Sequence, residues 1–191
     1  MHYLIFDDMT QCCEQEIARL LPLVSAQRRE QALRYTHTFG QFCCLKSYEM
    51  LMQLIASTPY TIHHTPTFLY NEHGAPFLEN GPYFSISHCR HGIAVVISEM
   101  PVGIDIEGIR RIDNGLIRKT MNINEQAHIE ASAEPDREFI RLWTRKEAYV
   151  KMQGTGIISD MHTILDDTNR VELHEYIDSD KGYICTIVTK K

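Results

Sequence analysis

Gly103-Ile104-Asp105-Ile106-Glu107 and Trp143-Thr144-Arg145-Lys146-Glu147-Ala148-Tyr149-Val150-Lys151 organise this chain. In the first, β-branched and acidic residues alternate, and on an extended strand residues two apart point to the same face. Asp105 and Glu107 therefore share one face, and Ile104 and Ile106 form the opposite, buried one. In the second, Trp143, Glu147 and Lys151 recur every four residues, which puts them on one stripe of a helix. Phe139, Leu142, Trp143 and Val150 supply the core side of that helix. Two anions on one strand face repel unless a cation sits between them. Three carboxylates and an ammonium meeting at one point suit a hard, oxygen-seeking cation with a phosphate on it.

Outward from these stretches the pattern alternates between strand and helix. His2–Phe6 reads as a strand and Glu14–Leu21 as a short helix. A long helical region is expected from Ser25, a good N-cap, to Ala56, with Thr58-Pro59 as its stop and Gly40 as a place where it can break. Leu33, Phe42, Leu45, Leu51 and Leu54 form its apolar face. Phe68–Tyr70 reads as strand and Asn71-Glu72-His73-Gly74 as the turn after it. Tyr83–Ser87 and Ile93–Ser98 flank the polar loop His88–Gly92 and predict a hairpin. Glu99–Gly103 is another turn, leading into the Asp105 strand. Helices follow at Gly115–Met121, Asn124–Ala131 and Asp136–Met152, the last framed by Pro135 and Gly154. Thr163–Leu165, Arg170–Ile177 and Tyr183–Val188 read as strands. The class is α+β, with each half holding strands and one long helix.

The 191 residues are enough for one large domain or two small lobes with a buried core. A net charge of −6 argues against nucleic acid as partner, because phosphate-backbone binding wants a basic face. The N-terminus lacks the basic and apolar regions of a signal peptide, and no apolar run is long enough to span a bilayer, so a cytoplasmic protein without a membrane partner is expected. The six cysteines form no Cys-x-x-Cys pair, which points to reduced thiols rather than zinc or redox chemistry. His63-His64 reads as an exposed pair. Gly74-Ala75-Pro76 and Gly154-Thr155-Gly156 match neither a dinucleotide nor a P-loop fingerprint.

Taken together, Ser87-His88, Gly103-Ile-Asp-Ile-Glu107, Trp143-x-x-Lys-Glu-x-x-x-Lys151 and Gly154-x-Gly156 resemble, in order and spacing, the signature of 4′-phosphopantetheinyl transferases of the Sfp type. The resemblance runs from about Ser25 to Gly156 and is strongest between Phe84 and Gly156. It implies two pseudo-symmetric α+β lobes, 1–98 and 99–191, each a small antiparallel sheet on a long helix, with the active site in the cleft between them. It also implies a holo-[acyl-carrier-protein] synthase activity: Mg²⁺-dependent transfer of phosphopantetheine from coenzyme A to a serine of an apo acyl or peptidyl carrier protein, by a monomer. Asp105, Glu107 and Glu147 would hold Mg²⁺. Glu147, Lys151 and His88 would be catalytic. Arg28, Ser87, His88, Lys146 and Lys151 would bind coenzyme A, with Lys146 in a peripheral phosphate or salt-bridge role. Gln31, Cys43 and Ala75 depart from the family pattern at positions that are often basic, and Arg34, Lys46 or Arg90 would have to compensate. The alternatives on the same residues are a metal-dependent phosphate ester or anhydride hydrolase and a catalytically silent module that binds coenzyme A or carrier.

Overall fold

A computed structural model of the chain describes residues 1–60, 65–156, 160–166 and 168–191. The first half contains β1 (His2–Phe6), α1 (Glu14–Leu20), α2 (Ala26–Leu33), α3 (Thr38–Ala56), the two-residue strands β2 (Leu69–Tyr70) and β3 (Pro76–Phe77), β4 (Tyr83–Cys89) and β5 (Gly92–Ser98). The second contains β6 (Val102–Gly108), α4 (Asn114–Thr120), α5 (Ile123–Ala131), α6 (Pro135–Gln153), β7 (Val171–Asp178) and β8 (Tyr183–Lys190). Each half builds one three-stranded antiparallel sheet, in the orders β1-β5-β4 and β6-β8-β7. Each sheet is matched with one 19-residue helix, α3 or α6.

The apolar run Ile93-Ala94-Val95-Val96-Ile97 explains how the sheets stack. Every residue of β5 is buried. Ile93, Val95 and Ile97 face the helical core with Phe42, Leu45 and Leu51 of α3. Ala94 and Val96 face the other way, onto Val102, Ile104 and Ile106 of β6 and Cys185 and Ile187 of β8. A strand buried on both faces reads as a continuous apolar run instead of an alternation. The result is four layers, α3, sheet, sheet, α6, with the edge strands β4 and β6 side by side at the seam.

Local chemistry sets the boundaries. The Ser25 side chain accepts the Arg28 backbone N–H and starts α2. The helical region expected over residues 25–56 is two helices, and the break falls at 34–37, before Gly40. Leu33 is 61% exposed at the end of α2 and so lies outside the apolar face expected for it. The β4–β5 connection is tighter than the sequence suggested, because His88 and Cys89 still pair, with Ile93 and Gly92. Residues 163–165 form turns instead of a strand, and Thr163 Oγ1 bonds the Asp160 carbonyl. His63-His64 lies outside the described residues. All six cysteines are unpaired, three of them buried. Among the described residues no helix is long and apolar enough to cross a membrane.

Candidate active site

A cavity of about 500 Å³ opens where β4 and β6 meet beneath α6. Gly103 makes the arrangement possible. A Cβ there would collide with the Ala148 carbonyl, so only glycine lets α6 settle this closely on β6. That approach brings Lys151 of α6 over Asp105 of β6, with Nζ to Oδ1 at 2.7 Å. Ser87 of β4 donates its hydroxyl to the same Oδ1 at 2.8 Å. One turn along the seam, Ser85 Oγ accepts the Ile104 N–H at 3.1 Å and occupies a donor on the free edge of β6.

Asp105 is 4% exposed, and its second oxygen, Oδ2, is buried without a hydrogen-bond partner. Leaving a buried carboxylate oxygen unsatisfied costs about 1–3 kcal/mol or more, so such an atom marks a place where a ligand belongs. Glu107 and Glu147 line the same cavity. Burial, then the charge of Asp105, pushes both carboxyls above the ordinary glutamate range, against the pull of Lys151 and, for Glu107, of Arg110 at 3.5 Å. Three crowded carboxylates, two of them reluctant to ionise together, are the electrostatic complement of a hard cation. Three carboxylates are the donor chemistry that a hard cation such as Mg²⁺ takes. Among the described residues no three His, Cys, Asp or Glu side chains are gathered closely enough to hold a metal ion, and Lys151 occupies one Asp105 oxygen.

The opposite wall is built differently. Arg28 is 8% exposed, and its guanidinium is held on three sides: Nε by the Cys44 carbonyl, Nη1 by Gln31 Oε1 and Nη2 by Ser47 Oγ, each at 2.9 Å. Its plane lies over the Phe68 ring at 5.1 Å. Three of its five N–H groups are thereby used, leaving a pre-oriented cation in the cavity wall. Tyr35, Tyr70, Pro76 and Ile86 complete this side as an aromatic and aliphatic surface. His88 is open to solvent in the cavity and packs edge-on against Phe39 at 6.0 Å. The crowding of the cleft walls, and then the charge of Lys151, lower its pKa, which favours neutral imidazole. Cys43 also lines the cavity, but burial pushes its thiol up to about 12, so it is no nucleophile at neutral pH.

Arg28, Ser87, His88, Asp105, Glu107, Glu147 and Lys151 thus share one cavity, together with Gln31 and Cys43. Trp143 belongs to it too. The sequence placed this ring in the core, but it is only half-buried, stacked on Phe139 with centroids 6.2 Å apart while facing the cleft. Lys146 is the exception. It is completely buried and points away from the cleft, its Nζ donating to the Thr120 carbonyl (2.9 Å), Glu125 Oε2 (2.6 Å) and the Met161 carbonyl (2.6 Å). All three ammonium donors are used, so of the phosphate or salt-bridge role expected of Lys146 it takes the salt bridge, on Glu125. One residue from Glu147 on a helix is about 100° of rotation, which is why neighbours in sequence end in different places. Of the compensating cations, Lys46 is turned onto Glu49 and the Phe6 ring, and Arg34 pairs with Glu30 beside a neighbouring concavity. Tyr35, Ser47, Phe68, Tyr70 and Ile86 were not foreseen; aromatic residues flanking turns carry no spacing signature.

A family model described as the 4′-phosphopantetheinyl transferase superfamily matches residues 101–188. The chain is 28% identical over 167 residues to the 4′-phosphopantetheinyl transferase ffp of Bacillus subtilis, covering 85% of this chain and 72% of that one. Against 4′-phosphopantetheinyl transferase Sfp of Bacillus subtilis strain 168 the identity is 25% over 167 residues, with the same coverage of 85% and 72%. Over a shorter stretch of 97 residues it is 41% identical to the 4′-phosphopantetheinyl transferase AcpT of Salmonella typhi, spanning 47% of this chain and half of that relative.

Proposed function

We propose, on the premise that this chain belongs to the 4′-phosphopantetheinyl transferase superfamily, that it moves the phosphopantetheine arm of coenzyme A onto a serine of an acyl or peptidyl carrier protein. The observation that carries the reading is the Asp105 carboxylate, with one oxygen bridged by Ser87 and Lys151 and the other buried and unpartnered beside Glu107 and Glu147. The likeness to Sfp and ffp favours, as the motif spacing does, the Sfp type over the holo-[acyl-carrier-protein] synthase type by which the expected activity was described.

The reaction breaks the bond between the pantetheine-bearing phosphorus and the oxygen leading to the second phosphate, and forms a new bond from the serine oxygen to that phosphorus. The serine proton must be taken up, and adenosine 3′,5′-bisphosphate leaves. Glu147 is the base, directly or through a water: it lines the cavity, and burial and the charge of Asp105 raise its pKa, which strengthens its affinity for a proton. Lys151 is placed to put its charge beside the transferred phosphate, where negative charge builds up. His88, kept neutral, donates a hydrogen bond to a pyrophosphate oxygen, with the Ser87 hydroxyl beside it. Arg28 contributes a fixed charge at the nucleotide end, and the Tyr35, Tyr70 and Pro76 surface suits a base and ribose. Asp105, Glu107 and Glu147 would hold Mg²⁺, which when bound neutralises pyrophosphate charge. A cytoplasmic, monomeric enzyme follows from the same reading.

The test is intact-protein mass spectrometry of purified apo carrier protein incubated with this chain, coenzyme A and Mg²⁺. A gain of one phosphopantetheine, abolished by EDTA, is expected. Steady coenzyme A breakdown with unmodified carrier would instead assign a hydrolase.

A further inference from the structure

The β2–β3 hairpin belongs to neither sheet. It has two residues per strand, all four of them exposed, and an isolated hairpin of this size has little stability of its own. Yet Tyr70 and Pro76, one from each strand, form part of the main cavity wall. At its near end the hairpin is anchored by Phe68, whose ring packs against Tyr48 and Phe84 and whose backbone N–H and carbonyl are both bonded by the Gln27 side chain at 2.9 Å. At its far end the tie is Asn71. Its Oδ1 accepts the His73 and Ala75 N–H groups at 3.0 and 2.9 Å, and its Nδ2 donates across the cleft to the Gly154 carbonyl at 2.8 Å. The two backbone donors on Oδ1 fix which end of the carboxamide is oxygen.

Gly154 is shaped to receive this contact. It ends α6 in the left-handed region, at φ 67°, and a Cβ there would lie 3.4 Å from Asn71 Nδ2 and 3.8 Å from the Ala75 Cβ. The turn that Asn71 holds also roofs a second cavity of about 270 Å³, in which His73, Ala75 and Pro76 face Glu147, Lys151 and Gly154. One exposed side chain therefore joins the β2–β3 hairpin to the helix that carries Glu147 and Lys151.

We propose that Asn71 is a positioning residue for coenzyme A: it straps the β2–β3 hairpin to the end of α6 and so fixes the Tyr70 and Pro76 wall against which the nucleotide binds. This rests on the coenzyme A reading above. Asn71 sits at the turn and acts through its neighbours, so losing the strap costs ligand affinity and leaves the chemical step alone.

Asn71→Asp removes the donor to the Gly154 carbonyl while its carboxylate still accepts from His73 and Ala75. Measuring Kd at low and high salt separates the added charge from the lost strap. The measurements are kcat, KM and calorimetric Kd for coenzyme A, the melting temperature, and amide hydrogen exchange over residues 69–77. With the strap gone, Kd and KM rise about 3–10-fold, the range of one hydrogen bond, while kcat and melting temperature hold and exchange over 69–77 accelerates. Asn71→Ala, which also frees the turn, should show the larger effect on exchange. Unchanged Kd and exchange in Asn71→Asp would overturn the proposal, as would a fall in kcat at constant Kd. If the wild-type chain bound no coenzyme A, the functional reading would fall, and the exchange comparison would still decide whether Asn71 holds the hairpin.

Discussion

The two walls of the cleft are made on opposite principles. On the C-terminal side, charge is concentrated and left partly unsatisfied: Asp105 keeps a bare buried oxygen, and Glu107 and Glu147 are held above their usual pKa by burial and then by the charge of Asp105. On the N-terminal side a deeply placed cation, Arg28, is tied to the protein through three hydrogen bonds and an aromatic face. The first wall stores electrostatic tension that a cation and phosphate would relieve. The second offers shape and a fixed charge. A wall built for chemistry leaves its charged groups short of partners, and a wall built for recognition supplies them in advance.

The comparison breaks first at Glu147. Glu147→Gln should lower kcat by about 10²–10⁴-fold, the usual worth of a general base, with the melting temperature unchanged because the packing is carried by Phe139, Leu142 and Val150. Rapid-quench turnover together with thermal melts checks it, and residual turnover near wild type would remove Glu147 from the chemistry.

The next effect is on stability, and it separates Glu147 from its neighbour. Lys146→Met leaves the Glu125 carboxylate and two carbonyls without their ammonium, and breaking a buried pair this way costs about 3–5 kcal/mol. Denaturant unfolding should show that loss. A variant as stable as the parent would mean that the buried lysine is dispensable.

Trp143→Ala should cost less than the 3–5 kcal/mol of a fully buried aromatic, about 2 kcal/mol, because the ring is only partly buried and lines the cleft. It should also weaken ligand binding, since the same ring lines the cavity. A full core-sized loss without a binding effect would return the ring to the core.

The smallest effect lies between the halves. Asp7, just after β1, accepts from Lys181 at 2.7 Å and from the Tyr183 hydroxyl of β8 at 2.9 Å. The Lys181 bond, then the Tyr183 bond, holds its carboxyl below the usual aspartate range despite some burial. A depressed carboxylate stabilises the folded state above its unfolded pKa, near 4, and the gain is lost as pH falls through the lower folded value. Asp7→Asn should cost about 1 kcal/mol at pH 7 and almost nothing in strong acid. An equal loss at both ends of that pH range would show that charge plays no part.

How much of this was legible in the sequence follows the same division. The alternation at 103–107 and the four-residue repeat at 143–151 encode position directly, because strand and helix periods convert spacing into a face. Those residues meet where the spacing requires, and Ile104 and Ile106 are buried opposite them. The break at 34–37 was hidden because this exposed stretch holds no Gly or Pro and is closed by local bonds, Arg34 N–H to the Gln31 carbonyl and the Gln41 side chain to the Tyr35 carbonyl. The turns over 163–165 are likewise closed locally, by the Thr163 N–H on the Asp160 carbonyl. For Lys146 the sequence left a phosphate and a salt-bridge role open, because a motif preserves spacing but not the direction of each side chain, and the ion pair with Glu125 takes the second. The aromatic wall of Tyr35, Phe68 and Tyr70 is assembled from two separate segments of the chain, and no local pattern announces that meeting.

The most direct test of the divided cleft is to measure kcat and KM for coenzyme A in Arg28→Gln beside Glu147→Gln, with both variants first shown to be folded. The account predicts that Arg28→Gln raises KM about tenfold or more and leaves kcat within a small factor, while Glu147→Gln does the reverse. If both substitutions act on the same parameter, the division between a binding wall and a chemical wall is contradicted.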